Sequence, residues 1–178
     1  RPGVYTSPRT ALDFSVLRSA RYQDWSAKAF YLDANEYEPL ETDTIVAGGN
    51  IAHKITDQIS ADASVITITE SNSSNSFPDS STGDRAGVWT LAGHVERKAP
   101  RDRSGFWLES ELAHQWHEDY DMAAWAGYGQ VGYIARDIKW EPSLSYRYAH
   151  FSGDDPNTNA YERFDTLYSG GLDHWLQG

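Results

Sequence analysis

The sequence predicts an all-β fold, an antiparallel up-and-down transmembrane β-barrel of which this chain forms about eight to nine strands. In 103–153, apolar and polar side chains alternate with a period of two, which is the period of a β-strand. The alternating segments are about ten residues long, enough for a tilted strand to cross a bilayer, whereas soluble strands average about 5–6 residues. Tryptophans also fall near the ends of these segments, as in the aromatic girdles of outer-membrane barrels.

Segment 103–153 contains three predicted strands, separated by a polar tip at 117–121 and a turn at 135–139. In the first strand, one parity holds Phe106, Leu108, Leu112 and Trp116, and the other holds Trp107, Glu109, Glu111, Ala113 and Gln115. In the last strand, Leu144, Tyr146 and Tyr148 face away from Ser145 and Arg147. Each strand is therefore predicted to have one apolar and one polar face.

Five earlier strands are predicted in order at 11–18, 25–34, 44–55, 58–69 and 87–97, and a ninth begins near Gly171. A helix is not excluded for 11–18, because Leu12, Val16 and Ala20 also fit a helical spacing. The facing of 25–34 is ambiguous, because 30–32 is apolar on both parities.

The connections alternate in length. Short polar turns are predicted at 21–24, 56–57, 97–103 and 135–139, and longer loops at 35–43, 70–86 and 152–169, with 117–121 as a short exception. The low-complexity stretch 70–86 is expected to be a long exposed loop. Short turns at one end and longer loops at the other are typical of outer-membrane barrels.

Composition limits the function classes. The 178 residues carry a net charge of −11, no Cys and a mean hydropathy of −0.64. No run of 18 apolar residues predicts a transmembrane helix, and the acidic balance without a basic stripe argues against a nucleic-acid partner. We expect one domain over 1–178 that is a fragment of a longer protein, because the chain starts without Met or signal peptide and ends inside a predicted strand.

Several short motifs lack the structural context that their usual function requires. The GxGxxG match at 127–132 lies inside a predicted strand rather than between a strand and a helix. Glu109 and Glu111 lie about 6.5–7 Å apart on one strand, without a cleft that would make them a glycosidase pair. Segment 155–166 lacks the Gly and Glu of a calcium loop, and His114 and His117 fall on opposite faces. The sequence therefore predicts neither an enzyme nor a cofactor.

The parity pattern instead predicts a polar lumen wall. Charged and polar side chains on that wall select which solutes pass through a channel. The predicted pore-lining residues are Lys54, Asp62, His94, Glu109, Glu111, Gln130, Ser145 and Arg147.

Four stretches resemble the alginate-export family of outer-membrane proteins. They are WEPSLSYRY at 140–148, FSGDDP at 151–156, YERFDTLY at 161–168 and FYLD at 30–33. The resemblance implies a monomeric 18-stranded barrel in the outer membrane that exports a polysaccharide, or a porin-like relative. The best-known branch of the family lines its pore with arginines, whereas the predicted lumen face here shows Arg147 together with Asp62, Glu109 and Glu111.

The leading hypothesis is thus an outer-membrane channel for a hydrophilic solute or anionic polysaccharide, with the lipid bilayer as its other partner. The alternative is a soluble secreted β-sandwich that binds carbohydrate through exposed Trp and Tyr. Strand facing discriminates the two, because a sandwich would enclose Leu112, Trp125, Val131, Leu144 and Tyr146 in a dry core, and a barrel would turn them outward.

Overall fold

The computed structural model describes residues 10–36, 43–77 and 80–165. The described residues form strands β1 (Thr10–Tyr22), β2 (Trp25–Glu36), β3 (Thr44–Lys54), β4 (Ile59–Glu70), β5 (Ser74–Ser76), β6 (Thr82–Asp84), β7 (Val88–Arg97), β8 (Gly105–His117), β9 (Ala124–Ile134) and β10 (Ser143–Phe151). No helix in this part of the chain is long and apolar enough to cross a membrane.

Eight strands form one antiparallel sheet in the order β1-β2-β3-β4-β7-β8-β9-β10, and β5 and β6 form a separate hairpin. The all-β, antiparallel prediction is therefore confirmed, and 11–18 belongs to a strand rather than a helix. Within the described residues the sheet is open, with β1 and β10 at its two edges. The ninth strand predicted near Gly171 lies outside the described residues.

Strands β1 and β2 are longer than the alternation predicts. β1 continues to Tyr22 and pairs in register with β2 up to Tyr22 opposite Trp25, so the predicted turn at 21–24 narrows to residues 23 and 24. Short connections at 23–24, 55–58, 98–104 and 135–142 lie at one end of the sheet, called here the turn edge. The end of β2 at Glu36, the start of β3 at Thr44, segments 71–77, 80–87 and 118–123, and segment 152–165 lie at the opposite end, the loop edge.

In-register pairing gives the sheet two chemically distinct faces. The apolar face carries most of the large exposed hydrophobic side chains, among them Ile51, Val65, Leu91, Leu112 and Val131. The polar face carries the opposite parity, for example Asp62, His94, Glu111 and Tyr128, which are consecutive partners on four adjacent strands. The predicted alternation of β8, β9 and β10 is reproduced residue for residue.

A glycine fixes the facing of β2, which the sequence leaves ambiguous. Phe30 is the register partner of Gly48, and a Cβ at Gly48 would lie 2.6 Å from Phe30 Cζ and 2.7 Å from the Val65 carbonyl oxygen. The Phe30 ring therefore occupies space that only glycine leaves open, on the polar face. Trp107 lies over its partner Gly132 in the same way.

A small hydrophobic core fills the loop edge of the polar face. Val46, Ile68, Val88, Met122, Ala124 and Tyr161 are buried there, with Phe30, Ile66, Phe77, Tyr120 and Phe164 packed around them. Part of this cover comes from Phe77, so segment 70–86, which the sequence predicts as a long exposed loop, is exposed only in part. The segment contains the hairpin β5–β6. In this hairpin the buried Asn75 side chain donates a hydrogen bond to Tyr120 Oη.

We predict that Gly48→Ala lowers the free energy of unfolding by about 1–3 kcal/mol, because the added methyl group meets both the Phe30 ring and a backbone carbonyl that cannot move aside. Thermal unfolding of the variant, followed by far-UV circular dichroism, measures this loss. The matched control is Gly93→Ala on the apolar face, where a Cβ would meet nothing within 4 Å. Equal effects of the two substitutions would contradict the assigned packing of Phe30.

Candidate functional site

The polar face of the sheet is the candidate site, because it brings together side chains from six strands. One row of register partners runs Lys54, Ser60, Glu96, Glu109, Gln130 and Arg147. The next row toward the loop edge runs Ala52, Asp62, His94, Glu111, Tyr128 and Ala149. All eight residues predicted from the sequence lie on this face, with Ser145 opposite Gly132 one row closer to the turn edge.

A hydrogen-bonded network crosses the middle of the face. Asn50 Nδ2 donates to Asp62 Oδ1 at 2.8 Å, and the other oxygen of Asp62 lies 2.8 Å from His94 Nδ1. The second ring nitrogen of His94 lies 3.5 Å from Glu109 Oε1. The imidazole therefore bridges two carboxylates on neighbouring strands, and it can donate to both only when both ring nitrogens carry a proton.

The network continues to the edge strand through an aromatic side chain. Tyr128 Oη donates to Glu109 Oε1 at 2.7 Å, and the Arg147 guanidinium lies over the Tyr128 ring, 3.9 Å from its centroid. A guanidinium at this distance is attracted by the ring quadrupole. Four predicted residues, Asp62, His94, Glu109 and Arg147, thus belong to one connected system.

The remaining predicted residues lie on the same face but outside this network. Lys54 pairs with Asp57 at the turn edge, with the Nζ–Oδ1 distance at 2.5 Å. Glu111 lies one row from Glu109 and lines a recess toward β9 and β10. Whether any of these residues lines a pore stays a prediction.

The predicted pore-lining set omits several members of this face. Asn50 and Tyr128 share the parity of Lys54 and Gln130 and follow from alternation alone. Arg21 and Lys28 also lie on the polar face, as the partners of Ser26 and Asn50. Lys28 is absent from the predicted set because the facing of β2 is ambiguous in the sequence, and Arg21 is absent because 21–24 is predicted as a turn.

Segment 152–165 folds onto the polar face at the loop edge and is held there by paired polar contacts. The fully buried Gln115 side chain donates from Nε2 to the Asp165 carbonyl oxygen at 2.7 Å and accepts at Oε1 from the Asp165 backbone N–H at 2.7 Å. The Asp165 carboxylate receives two hydrogen bonds from Arg85, at 2.6 and 2.7 Å. We call this Arg85–Asp165–Gln115 arrangement the latch.

The loop before the latch is ordered by a second carboxylate. Asp154 accepts hydrogen bonds from the backbone N–H groups of Glu162 and Arg163 and from the Arg163 guanidinium. Partial burial raises the pKa of Asp154, but the hydrogen bonds from Arg163 and from the two backbone groups outweigh it, so the pKa lies below its ordinary value of 3.8. These donors occupy Asp154, and among the described residues no group of three His, Cys, Asp or Glu side chains could hold a metal ion.

Comparison with protein-family models, with curated proteins and with solved structures found no significant match. The resemblance to the alginate-export family therefore stays a prediction, as does the absence of enzymatic activity.

We predict that Arg85→Met releases segment 161–165 from the polar face, because a buried carboxylate that loses its partner is destabilised by about 3–5 kcal/mol. Faster backbone hydrogen exchange at 161–165, measured by mass spectrometry, should report the release. The double variant Arg85→Met/Asp165→Leu removes the unpaired charge and should recover part of the protection. Protection equal to wild type in Arg85→Met would show that the ion pair does not hold the segment.

A pH dependence follows from the lowered pKa of Asp154. Its ionised form is bound more favourably in the folded state, so the stabilisation is present above the ordinary value of 3.8 and is lost as the pH falls through the lower folded pKa. Asp154→Asn should therefore reduce Tm near neutral pH, with the difference from wild type vanishing in acid. Thermal unfolding measured from neutral to acidic pH checks this expectation. The control is Asp119→Asn, at an exposed position in the neighbouring loop. A difference that persists in acid would contradict the assignment.

Proposed function

We propose that this chain is part of an outer-membrane β-barrel channel of the alginate-export type, and that a hydrophilic solute passes along the polar face of the sheet. The observation that carries the proposal is the apolar face. Large hydrophobic side chains cover it from β1 to β10 and remain exposed. Exposed apolar patches of more than a few hundred Å² mark surfaces that contact lipid or another protein.

Aromatic clusters at both ends of the apolar face favour lipid. Near the loop edge, Trp89 stacks with Trp116 and Trp125 packs against His114. Near the turn edge, Trp25 stacks with His53 and Phe106 packs on Tyr133. Two belts of aromatic side chains, one at each strand end, are the pattern of the two bilayer interfaces.

The distance between the two belts fits a membrane. Phe106 and Trp116 lie ten residues apart on β8, which corresponds to about 34 Å along a strand. At a tilt of about 40° this becomes a height of roughly 26 Å, close to the apolar band of about 25 Å on outer-membrane barrels. Arg18 on the edge strand β1 and Arg97 near the turn edge of β7 also face this side, and their long side chains can reach the interfaces.

The β-sandwich alternative receives less support. It requires Leu112, Trp125, Val131, Leu144 and Tyr146 to be enclosed, but Leu112 is 58%, Trp125 47% and Leu144 80% exposed. The buried hydrophobic cluster lies instead on the opposite face, at the loop edge. In water, the large apolar side chains of this face would be exposed to solvent.

Barrel closure is part of the proposal. The free backbone groups of β1 and β10 must be paired within lipid, so we propose that further strands complete a barrel of up to 18 strands. Heat-modifiability tests this: the full-length protein, extracted from outer membranes in detergent, should change its mobility on SDS gels when boiled. A protein that stays soluble without detergent would overturn the proposal.

The charges on the polar face suggest which solutes pass. Basic side chains lie on β1–β3 (Arg21, Lys28, Lys54), carboxylates on β4, β7 and β8 (Asp62, Glu96, Glu109, Glu111), and Arg147 on β10. The wall is therefore of mixed sign and differs from a wall lined by arginines. This mixture favours a hydrophilic solute of low net charge over an anionic polysaccharide.

We predict that the full-length protein conducts ions in planar bilayers, and that charge substitutions on the polar face shift its selectivity in opposite directions. Glu109→Gln/Glu111→Gln should raise the permeability of chloride relative to potassium, and Lys28→Gln should lower it, because wall charges attract counter-ions. Reversal potentials in a salt gradient measure both. The control Asp137→Asn lies in the exposed turn 135–142 and should leave the ratio unchanged. Absence of conductance in repeated trials would overturn the proposal that the protein is a channel.

A further inference from the structure

A recess of about 340 Å³ opens on the polar face between β8, β9, β10 and the latched segment. Its floor consists of short side chains, since Ala113 and Ala126 are register partners and Ala149 lies on the next strand. Ala113 and Ala126 are buried, and longer side chains stand beside the alanines, Phe151 in the row of Ala113 and Ala126, and Glu111 and Tyr128 in the row of Ala149. A volume of this size lies at the low end of small-molecule sites, which run from roughly 300 to 1,000 Å³.

Aromatic side chains form the wall on the loop side. Phe164, which directly precedes the latched Asp165, packs edge-on against Phe151 with ring centroids 6.1 Å apart. Both rings line the recess. The latch thus holds Phe164, one of the two aromatic side chains of this wall, beside the alanine floor.

The opposite wall is polar and carries both signs of charge. It consists of the Glu111 carboxylate and the Arg147 guanidinium, with the Tyr128 ring beneath the guanidinium. One acceptor and one multiple donor opposite two aromatic rings suit a ligand with apolar C–H faces and hydroxyl groups at its rim. Because Glu111 and Arg147 balance each other, the lining favours no net charge on that ligand.

We infer that this recess binds one uncharged pyranose residue of a passing oligosaccharide, with its C–H face on Phe164 and its hydroxyls on Glu111 and Arg147. The inference rests on the proposed function for the route by which the sugar arrives, but the binding itself needs no transport. It names the solute class for which the polar face would be selective.

Isothermal titration calorimetry on the full-length protein in detergent micelles tests the inference, with maltohexaose as the neutral probe and hexagalacturonate as the anionic one. We expect saturable heat with maltohexaose and at least tenfold weaker binding of hexagalacturonate. Glu111→Gln and Phe164→Leu should each weaken maltohexaose binding about tenfold, because each removes one wall contact. Phe164→Leu keeps an apolar side chain against the core, and hydrogen exchange at 161–165 verifies that the latch stays closed.

The matched controls are Asp137→Asn, in the exposed turn 135–142 outside the recess, and Phe106→Leu, on the apolar face. Both should bind maltohexaose as the wild type does. Absence of maltohexaose binding, equal binding of the anionic probe, or wild-type affinity in both recess variants would overturn the inference. Conductance separates the two proposals. A protein that conducts but binds no maltohexaose refutes the sugar-binding inference alone. A protein that does not conduct but binds maltohexaose with the expected variant pattern supports that inference and refutes the channel proposal.

Discussion

The continuous antiparallel register is the constraint on which the rest of the structure depends. Because side chains alternate between faces, a slip of one residue in any strand pair would move its carboxylates to the apolar face and its aliphatic side chains to the polar one. The network from Asn50 to Arg147 needs six strands in a single register. The two aromatic belts and the alanine floor of the recess need the same alignment. Glycines opposite Phe30 and Trp107 help to fix it, since each ring fits only over a residue without a side chain.

The sequence predicts what depends on neighbouring residues in the chain. Period-two alternation locates all eight long strands and the faces of β8, β9 and β10, because facing is a local property of an extended backbone. It fails for β2, where 30–32 is apolar on both parities and the decision rests on space left by Gly48 of another strand. Lys28 is absent from the predicted pore-lining set for that reason, and Arg21 is absent because 21–24 is predicted as a turn.

Contacts between distant segments are not encoded in any local pattern. Gln115 and Asp165 are 50 residues apart, and Arg85 and Asp165 are 80 apart. The residues next to them in the sequence therefore do not predict the latch. The hairpin β5–β6 escaped notice because its polar composition is that of a loop, although its pairing and the burial of Asn75 make it part of the cover over the core. The alternation within a strand predicts which face a residue lies on. Only the register between strands shows that Asp62, His94 and Glu109 are in contact.

The separation of charge across the polar face has an electrical consequence. Cationic side chains on β1–β3 stand beside carboxylates on β4, β7 and β8, so the field on this face has a component directed across the strands as well as along them. A molecule with a permanent dipole that moves over such a surface experiences a torque, and its positive end turns toward the carboxylate strands. Orientation as well as net charge would then decide how easily a solute advances, and two isomers with the same formula but different dipoles would move at different speeds.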